Sequence, residues 1–326
     1  MSRRAALASG IATLCARPAH AEAAPAVHLG TVQFGTLQWV VDVIRRRGLD
    51  AARGFAVSAQ PLANTDAGRI AMVSGQADIV VLDWMFVAVQ RAAGSNLCFA
   101  PFSSATGGIM ARADGPIQSL ADLKDRRLGV AGGPADKSWL LVQAAARAHD
   151  RVDLARAASV VYGAPPLLGA KLQQGELDAV LTFWNFAARL EADGFRQVVS
   201  VSDCAVALGL PPRLDLVGFV FREDWARSNP ALIGGFLSAA EQAERMLATS
   251  DEEWNAIRPL MNAPAEALFA RLRTRFVAGI APPGEKMDAA TARLFAILKE
   301  TGGTRATGGL ENLPSGIFWR APNGTG

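Results

Sequence analysis

The sequence predicts an α/β protein of two lobes, each a mostly parallel sheet flanked by helices. Its 326 residues, half of them hydrophobic, can bury a large core, and that length usually divides into two domains. Apolar runs of strand length alternate with runs of helical period, the pattern that builds parallel sheets with helices on both faces. The alternation starts afresh at "GGIMARA", so the chain holds two blocks of similar layout.

Before the first block stands a segment of another kind. "MSRRAALASGIATLCARPAHA" has Arg3 and Arg4, a moderately apolar stretch from Ala5 to Ala16, and a small-x-small pattern at Ala19-His20-Ala21. This is the layout of a cleaved signal peptide covering residues 1–21. The stretch is too short and weakly apolar to span a bilayer, and no other window supplies eighteen uninterrupted apolar residues. A soluble, exported, periplasmic protein is expected, with the paired arginines compatible with either the twin-arginine or the general secretory route. Leu14 stands before Cys15, where a lipid-attachment motif needs a small residue, so no lipid anchor is expected.

The elements follow in order. "AVHLGTV" is a strand, and the helix "LQWVVDVIRRRG" begins after Thr36 and stops at Gly48. "FAVSAQP" is a strand, and "DAGRIAMVSG" a short helix opened by Asp66. "ADIVVLD", "WMFVAVQRAAG" and "LCFAPF" continue as strand, helix and strand. In the second block "GGIMARA" is a strand, and "SLADLKDR" a short helix with Ser119 and Asp122 at capping-box spacing. "RLGVAG" precedes the helix "PADKSWLLVQAAARAH", with Pro134 near its first turn. Then "ASVVYG", "LLGAKLQQG", "LDAVLTF", "WNFAARLEADG" and "RQVVSV" alternate strand and helix. "LVGFVF" is a strand between blocks. Everything after Ser228-Asn229-Pro230 is helical in period, with Gly302 and Gly303 as a late stop.

Charge and cysteine content narrow the function. Arg3, Arg4 and Arg17 account for three of the 33 basic residues and leave with the signal, so the mature chain is balanced against its 30 acids. No basic patch points to nucleic acid or anionic lipid. Cys98 and Cys204 either pair in an oxidising compartment or remain two buried free thiols, and neither spacing suggests a metal or redox motif.

Four stretches then resemble the exported substrate-binding proteins of ABC importers in the nitrate, sulfonate, taurine and thiamine-precursor family. They are "RRGLDAARGFAVSAQ", "GRIAMVSGQADIVVLD", "IQSLADLKDRRLGVAGGPADKSWL" and "KLQQGELDAVLTFWNFAARLEADGF", and "SNPALIGGFLSAAEQAERML" matches as well. The resemblance implies the type II periplasmic binding protein fold, with a ligand cleft between the lobes. It also implies hinge closure over the ligand, a motion for which periplasmic binding proteins are a standard example. Residues 26–111 are expected to form the first part of lobe one, 112–216 lobe two, and 217–326 the completion of lobe one with the C-terminal helices. The crossovers are expected near 110–114 and 214–220. A monomer that serves a membrane permease and its cytoplasmic ATPase, with no cofactor, is implied as well.

Ligands of open α/β sheets bind beyond the strand ends. The residues there are Thr36, Gln38 and Trp39; Asp83 and Trp84; Ser103, Ser104 and Thr106; Gly132, Gly133, Lys137, Ser138 and Trp139; Tyr162; and Trp184 and Asn185. Rings with a few hydroxyls, an amide and one or two charges are the usual lining of a small-molecule site. Each also has a structural reading: a Trp past a strand often lids the core, Asp83 suits the cap of the next helix, and Trp139 lies among apolar neighbours. Gly132-Gly133 with Lys137 suits an anion at a helix start. Asp83 with the rings suits a cation or amine-bearing heterocycle. A sulfonate, a zwitterion or an amine-bearing heterocycle is therefore expected, since a bare anion has no use for so many rings.

Two other classes compete. The same fold carries a thiamine-pyrimidine synthase, but only His28 and His149 remain in the mature chain, and no Ser-His-Asp, His-x-x-Glu-His or Cys-x-x-Cys arrangement exists. Asp66, Asp83 and Asp136 are candidate oxygen ligands for a metal or metal complex, widely separated in sequence.

Overall fold

The structure, a computed structural model, describes residues 24–33, 35–280 and 288–321. The signal segment expected over residues 1–21 lies outside them. Among the described residues no helix is long and apolar enough to cross a membrane.

The first block opens with β1 (Ala26–Val32), α1 (Leu37–Arg46), β2 (Ala56–Leu62), α2 (Thr65–Ser74), β3 (Ile79–Asp83), α3 (Trp84–Ala92) and β4 (Leu97–Ser103). The second contains β5 (Gly108–Arg112), β6 (Arg127–Ala131), α4 (Lys137–Ala145), α5 (Leu154–Ala157), β7 (Ser159–Gly163), α6 (Pro165–Gln173), β8 (Ala179–Thr182), α7 (Trp184–Ala192), β9 (Phe195–Ser200) and α8 (Val201–Ala207). The chain then runs through β10 (Val217–Arg222), α9 (Glu223–Ser228), α10 (Pro230–Thr249), α11 (Asp251–Met261), α12 (Glu266–Ala278) and α13 (Asp288–Thr307).

The strands form two five-stranded sheets, β2-β1-β3-β10-β4 and β7-β6-β8-β5-β9. In each, the fourth strand alone runs against its neighbours: β10 is antiparallel to β3 and β4, and β5 to β8 and β9. Each is the strand the chain enters on arrival from the other lobe. It starts at the rim where its neighbours end, so Val217 faces Asp83 and Ser103, and Gly108 faces Thr182 and Ser200. The two rims bound the cleft.

Sheet membership moves the first crossover. Residues 110–112 lie inside β5, so the passage occurs at 104–107, ahead of the expected 110–114. It is tight, because a Cβ on Gly107 would stand 1.7 Å from the Thr182 carbonyl oxygen, which only glycine accommodates. The return passage runs through 208–216 into β10.

Local chemistry fixes the helices at the rim. Asp83 ends β3 and caps α3, its Oδ1 accepting the Phe86 N–H at 2.8 Å, while Trp84, Met85, Val87 and Ala88 are buried behind it. Such a cap contributes about 1 kcal/mol, and each large apolar side chain buried roughly 1.5–3 kcal/mol. The second helix starts one residue earlier than expected, at Thr65, because Asn64 accepts the Ala67 N–H and takes the cap expected of Asp66. The stretch at Ser119 is a single 3₁₀ turn at Ala121–Leu123: the Asp122 carboxylate accepts from the Gln118 and Ser119 N–H groups and the Ser119 hydroxyl.

The C-terminal helices do more than complete lobe one. α10 and α11 pack on α1, whereas α13 packs on α4 of the second lobe, and Arg293 donates to the Leu208 carbonyl at 2.7 Å. α13 breaks at the expected stop, where Gly303 takes the non-helical φ 57°, ψ −146°, and a second short helical run follows to Thr307. The chain then returns to lobe one, where the Phe99 N–H donates to Ile317 O and Trp319 N–H to Phe99 O. One apolar cluster consequently joins the lobes, holding Trp84 of α3 with Trp139 and Leu140 of α4 and Leu294 and Leu298 of α13.

Candidate ligand cleft between the lobes

Two contacts bring the rims together. Trp39 of α1 meets Trp184 of α7 edge-on, ring centroids 6.0 Å apart. Lys137, the first residue of α4, places its Nζ 3.0 Å from Asp83 Oδ1 at the end of β3. Each contact joins a residue of one sheet's rim to a residue of the other's.

Around the first contact the wall is aromatic. Phe276 of α12 lies 5.6 Å from Trp39 and 6.2 Å from Trp184, and Trp254 of α11 lies 6.0 Å from Trp39. Neither α1 nor α7 has a capping side chain among the described residues. Two polar atoms nearby in the fold are buried with no hydrogen-bond partner among the described residues, Trp39 Nε1 and Thr182 Oγ1. Their residues are 3 % and 2 % exposed. Thr36, at the N-cap of α1, and Gln38 are half-buried here, as are Trp184 and Asn185 at the start of α7. Phe183, the N-cap residue of α7, is exposed.

Around the second contact the wall is charged. Asp83 faces Lys137, the Phe86 N–H and, at 3.4 Å, Arg69 of α2, which also pairs with Asp66 at 3.0 Å. Burial opposes the charge on Asp83, but Lys137, the Phe86 N–H and Arg69 outweigh it and hold the carboxyl below its usual range. Asp136 caps α4, accepting from the Ser138 and Trp139 N–H groups at 2.9 and 3.2 Å. Burial pushes its carboxyl up, with Asp83 adding to that, against the pull of Lys137 and the two N–H groups.

This arrangement changes the reading of Gly132-Gly133. The turn, with Gly132 at φ 92°, brings the Asp136 carboxylate onto the N–H groups of α4 that an anion would otherwise take. Asp136 thus engages the Ser138 and Trp139 N–H groups, and Asp83 engages Lys137.

The remaining candidates divide. Trp84 and Trp139 are 1 % exposed and belong to the apolar core, as the structural reading of such residues holds. The Ser103 and Ser104 hydroxyls donate to the Gly279 carbonyl at 3.4 and 3.2 Å, tying the first passage to the end of α12. Thr106 lies half-buried in the same passage. Tyr162 is exposed near the end of the edge strand β7. The structure thus brings Thr36, Gln38, Trp39, Trp184 and Asn185 to one wall, and Asp83, Gly133, Lys137 and Ser138 to another. Arg69 pairs with Asp83, and Phe276 packs on Trp39 and Trp184 within the core; neither these two nor Thr182 and Phe183 at the end of β8 are expected at the site from the sequence. Phe183 is legible, as the aromatic directly before a helix at a strand end; Phe276, from the C-terminal helices, carries no such signal.

Cys98 on β4 and Cys204 on α8 are free and buried, each in a different lobe. Burial pushes both thiols up to about 12.

A sequence model described as NMT1/THI5 like matches residues 45–253, well over half of the chain. The chain belongs to the NMT1/THI5-like family. A search of curated proteins finds no match. Among solved structures, this NMT1/THI5-like chain is similar to the periplasmic aliphatic sulphonate binding protein SsuA from Escherichia coli, at TM-score 0.72 and 17 % identity, covering 92 % of this chain and 94 % of that one. It is similar also to the alkanesulfonate-binding protein SsuA from Xanthomonas axonopodis pv. citri bound to MOPS, at TM-score 0.68 and 17 % identity, over 92 % and 100 %. The desulfurization enzyme DSZB matches at TM-score 0.54 and 16 % identity, over 85 % and 92 %. These likenesses establish the fold, that of two-lobed periplasmic binding proteins.

Proposed function

We propose that the protein is an exported solute-binding protein that encloses a small organic ligand between its lobes and delivers it to an ABC importer. The observation that carries this reading is the meeting of α1 and α7 at Trp39 and Trp184. α1 and α7 both start without a side-chain cap, and helix starts favour acceptor-rich, negatively charged groups. Trp39 Nε1 donates only, and Thr182 Oγ1 donates or accepts, so both suit an oxygen-rich group as partner. The opposite wall sets Arg69 and Lys137 against Asp83 and Asp136, with Arg69 Nε buried and without a hydrogen-bond partner among the described residues.

A sulfonate or carboxylate head on an organic body, including a zwitterion, fits this division better than an amine-bearing heterocycle. The sulfonate-binding proteins among the structural neighbours support the same class. An enzyme of thiol chemistry is disfavoured, because both thiols are buried and held protonated. A metal site at Asp66, Asp83 and Asp136 is disfavoured because Arg69, Lys137 and the α4 N–H groups already engage these carboxylates.

Isothermal titration of the mature protein with MOPS, an alkanesulfonate, an alkyl carboxylate and an aminopyrimidine tests the reading. Saturable binding of one of the anions at one site per chain is expected. Binding of the aminopyrimidine alone would overturn the assignment of the ligand's head group, and binding of none would overturn solute capture of this class.

A further inference from the structure

We propose that α2 of the first lobe and α6 of the second carry a two-part docking surface for the membrane permease, one apolar patch on each lobe. The proposal rests on the importer reading above and adds to it the face by which the transporter takes hold.

The most exposed large apolar side chains among the described residues are Ile70 at 66 %, Val73 at 62 % and Leu167 at 56 %. Ile70 and Val73 stand one turn apart on α2, and Leu167 lies on α6. Val161 of the edge strand β7 is exposed too and extends the second patch. It pairs with Gly129, where a Cβ would meet Leu168 and Leu177, so Val161 belongs to the face of the sheet that α6 covers. Single apolar residues on a surface need no explanation, but clustered ones mark sites of association.

The two helices are counterparts. α2 leads from β2 to β3 and α6 from β7 to β8, and β2 and β7 are the sheet edges farthest from β10 and β5, where the chain enters each lobe. Their ends repeat in detail: "SGQADIV" follows α2 and "QGELDAV" follows α6, with Gly75 and Gly175 at φ 74° and 75°. Asp78 and Asp178 then accept the His28 and Arg127 N–H groups at 2.8 and 2.7 Å. Like helices in like places each expose apolar side chains, which fits a partner that presents two like surfaces, one to each lobe. Charge and area narrow that partner. The one basic residue of each helix is paired, Arg69 with Asp66 and Asp83 and Lys171 with Glu176, so the patches offer little to an anionic lipid surface. Each patch presents on the order of 100 Å² of apolar surface, against about 800 Å² per partner in a stable complex, so one patch alone does not hold a second copy of this chain. Two patches engaged at once by a permease of two halves suit the brief contact that delivery requires.

Photo-crosslinking in the cells that make the protein tests the surface. Benzoyl-phenylalanine replaces Ile70, Val73 or Leu167 singly and, as controls, the exposed Val206 of α8 or Leu260 of α11. After irradiation the captured partner is identified by mass spectrometry. The α2 and α6 positions are expected to capture the membrane-embedded subunits of one importer, and the control positions are not. Leu167→Glu is expected to lower the yield from position 73 about tenfold or more, and Ile70→Glu the yield from position 167, since one partner grips both lobes. Both glutamate variants should keep the native melting temperature and titrate with MOPS as the native protein does, because neither residue lies at the cleft. Capture of a second copy of this chain, capture of no membrane subunit, equal capture from Val206 and Leu260, or yields indifferent to the substitution on the other lobe would each overturn the surface. Binding of MOPS without permease capture counts against the surface alone, whereas permease capture without binding of MOPS supports the surface and counts against the ligand class.

Discussion

Replacing Trp184 by Ala removes the ring that joins α7 to the other lobe. Its two aromatic contacts, Trp39 at 6.0 Å and Phe276 at 6.2 Å, both lie outside its own lobe, while Ala187 and Leu190 keep α7 buried on its own sheet. An aromatic pair contributes roughly 0.5–1.5 kcal/mol beyond area burial, so about 1–3 kcal/mol of contact between the lobes is lost. Since about 1.4 kcal/mol is tenfold in an equilibrium constant, affinity should fall by about five- to a hundredfold. Titration calorimetry with whichever anion binds the native protein measures this, and thermal unfolding of the free variant should move by only a few degrees. Trp184→Phe should recover part of the loss. Unchanged affinity in Trp184→Ala would remove Trp184 from the site and refute the reasoning from α1 and α7.

Glu244, buried on α10, has its carboxyl lifted to about 8 by burial and by Glu241, against Arg245. The folded chain holds that proton while the unfolded chain releases it near 4.5, so this group's contribution to stability is present at low pH and is lost as pH rises toward 8. Glu244→Gln should therefore gain on the order of 1–3 kcal/mol at pH 9, with the gain shrinking toward pH 4.5, as read by denaturant melts at both values. Gly107→Ala forces a Cβ to within 1.7 Å of the Thr182 carbonyl, and should destabilise by about 3 kcal/mol or more; an unchanged melting temperature would contradict the tight passage. Cys98 and Cys204 should resist a thiol reagent at pH 8 in the native protein and react only after unfolding, and fast labelling of either would contradict their burial.

Strand positions are legible because their apolar runs are short and bounded by glycine or polar residues, and β1 spans the whole of "AVHLGTV". Helix starts are less so. Asn64, Thr65 and Asp66 are three successive residues able to cap, and only the backbone geometry selects Asn64. The first crossover falls earlier than expected because β5 reads equally well as the last strand of one sheet or the first of the next; its pairing with β8 and β9 decides.

The candidate site is legible as a collection of strand ends and obscure as an arrangement. Trp39 and Trp184 stand far apart in sequence, and their meeting depends on how the lobes dock. Lys137 looks available to an anion because nothing in "GGPADKSW" reveals that Asp136 turns back to cap its own helix or that Asp83 arrives from the other lobe. Trp84 and Trp139 look from sequence much like Trp184, yet both are core residues. The difference lies in packing: they face α13 and the joined apolar cluster, and α13 comes from the far end of the chain.

A crystal structure of the protein grown with MOPS, or with whichever anion binds in titration, tests the central claim most directly. The ligand is predicted to lie between α1 and α7, its anionic oxygens within hydrogen-bonding distance of Trp39 Nε1 or Thr182 Oγ1 and its body against the Trp184 ring, with Asp83 and Lys137 still paired. A ligand whose anionic group sits instead at Gly132 and Gly133, with Lys137 drawn away from Asp83, would contradict it.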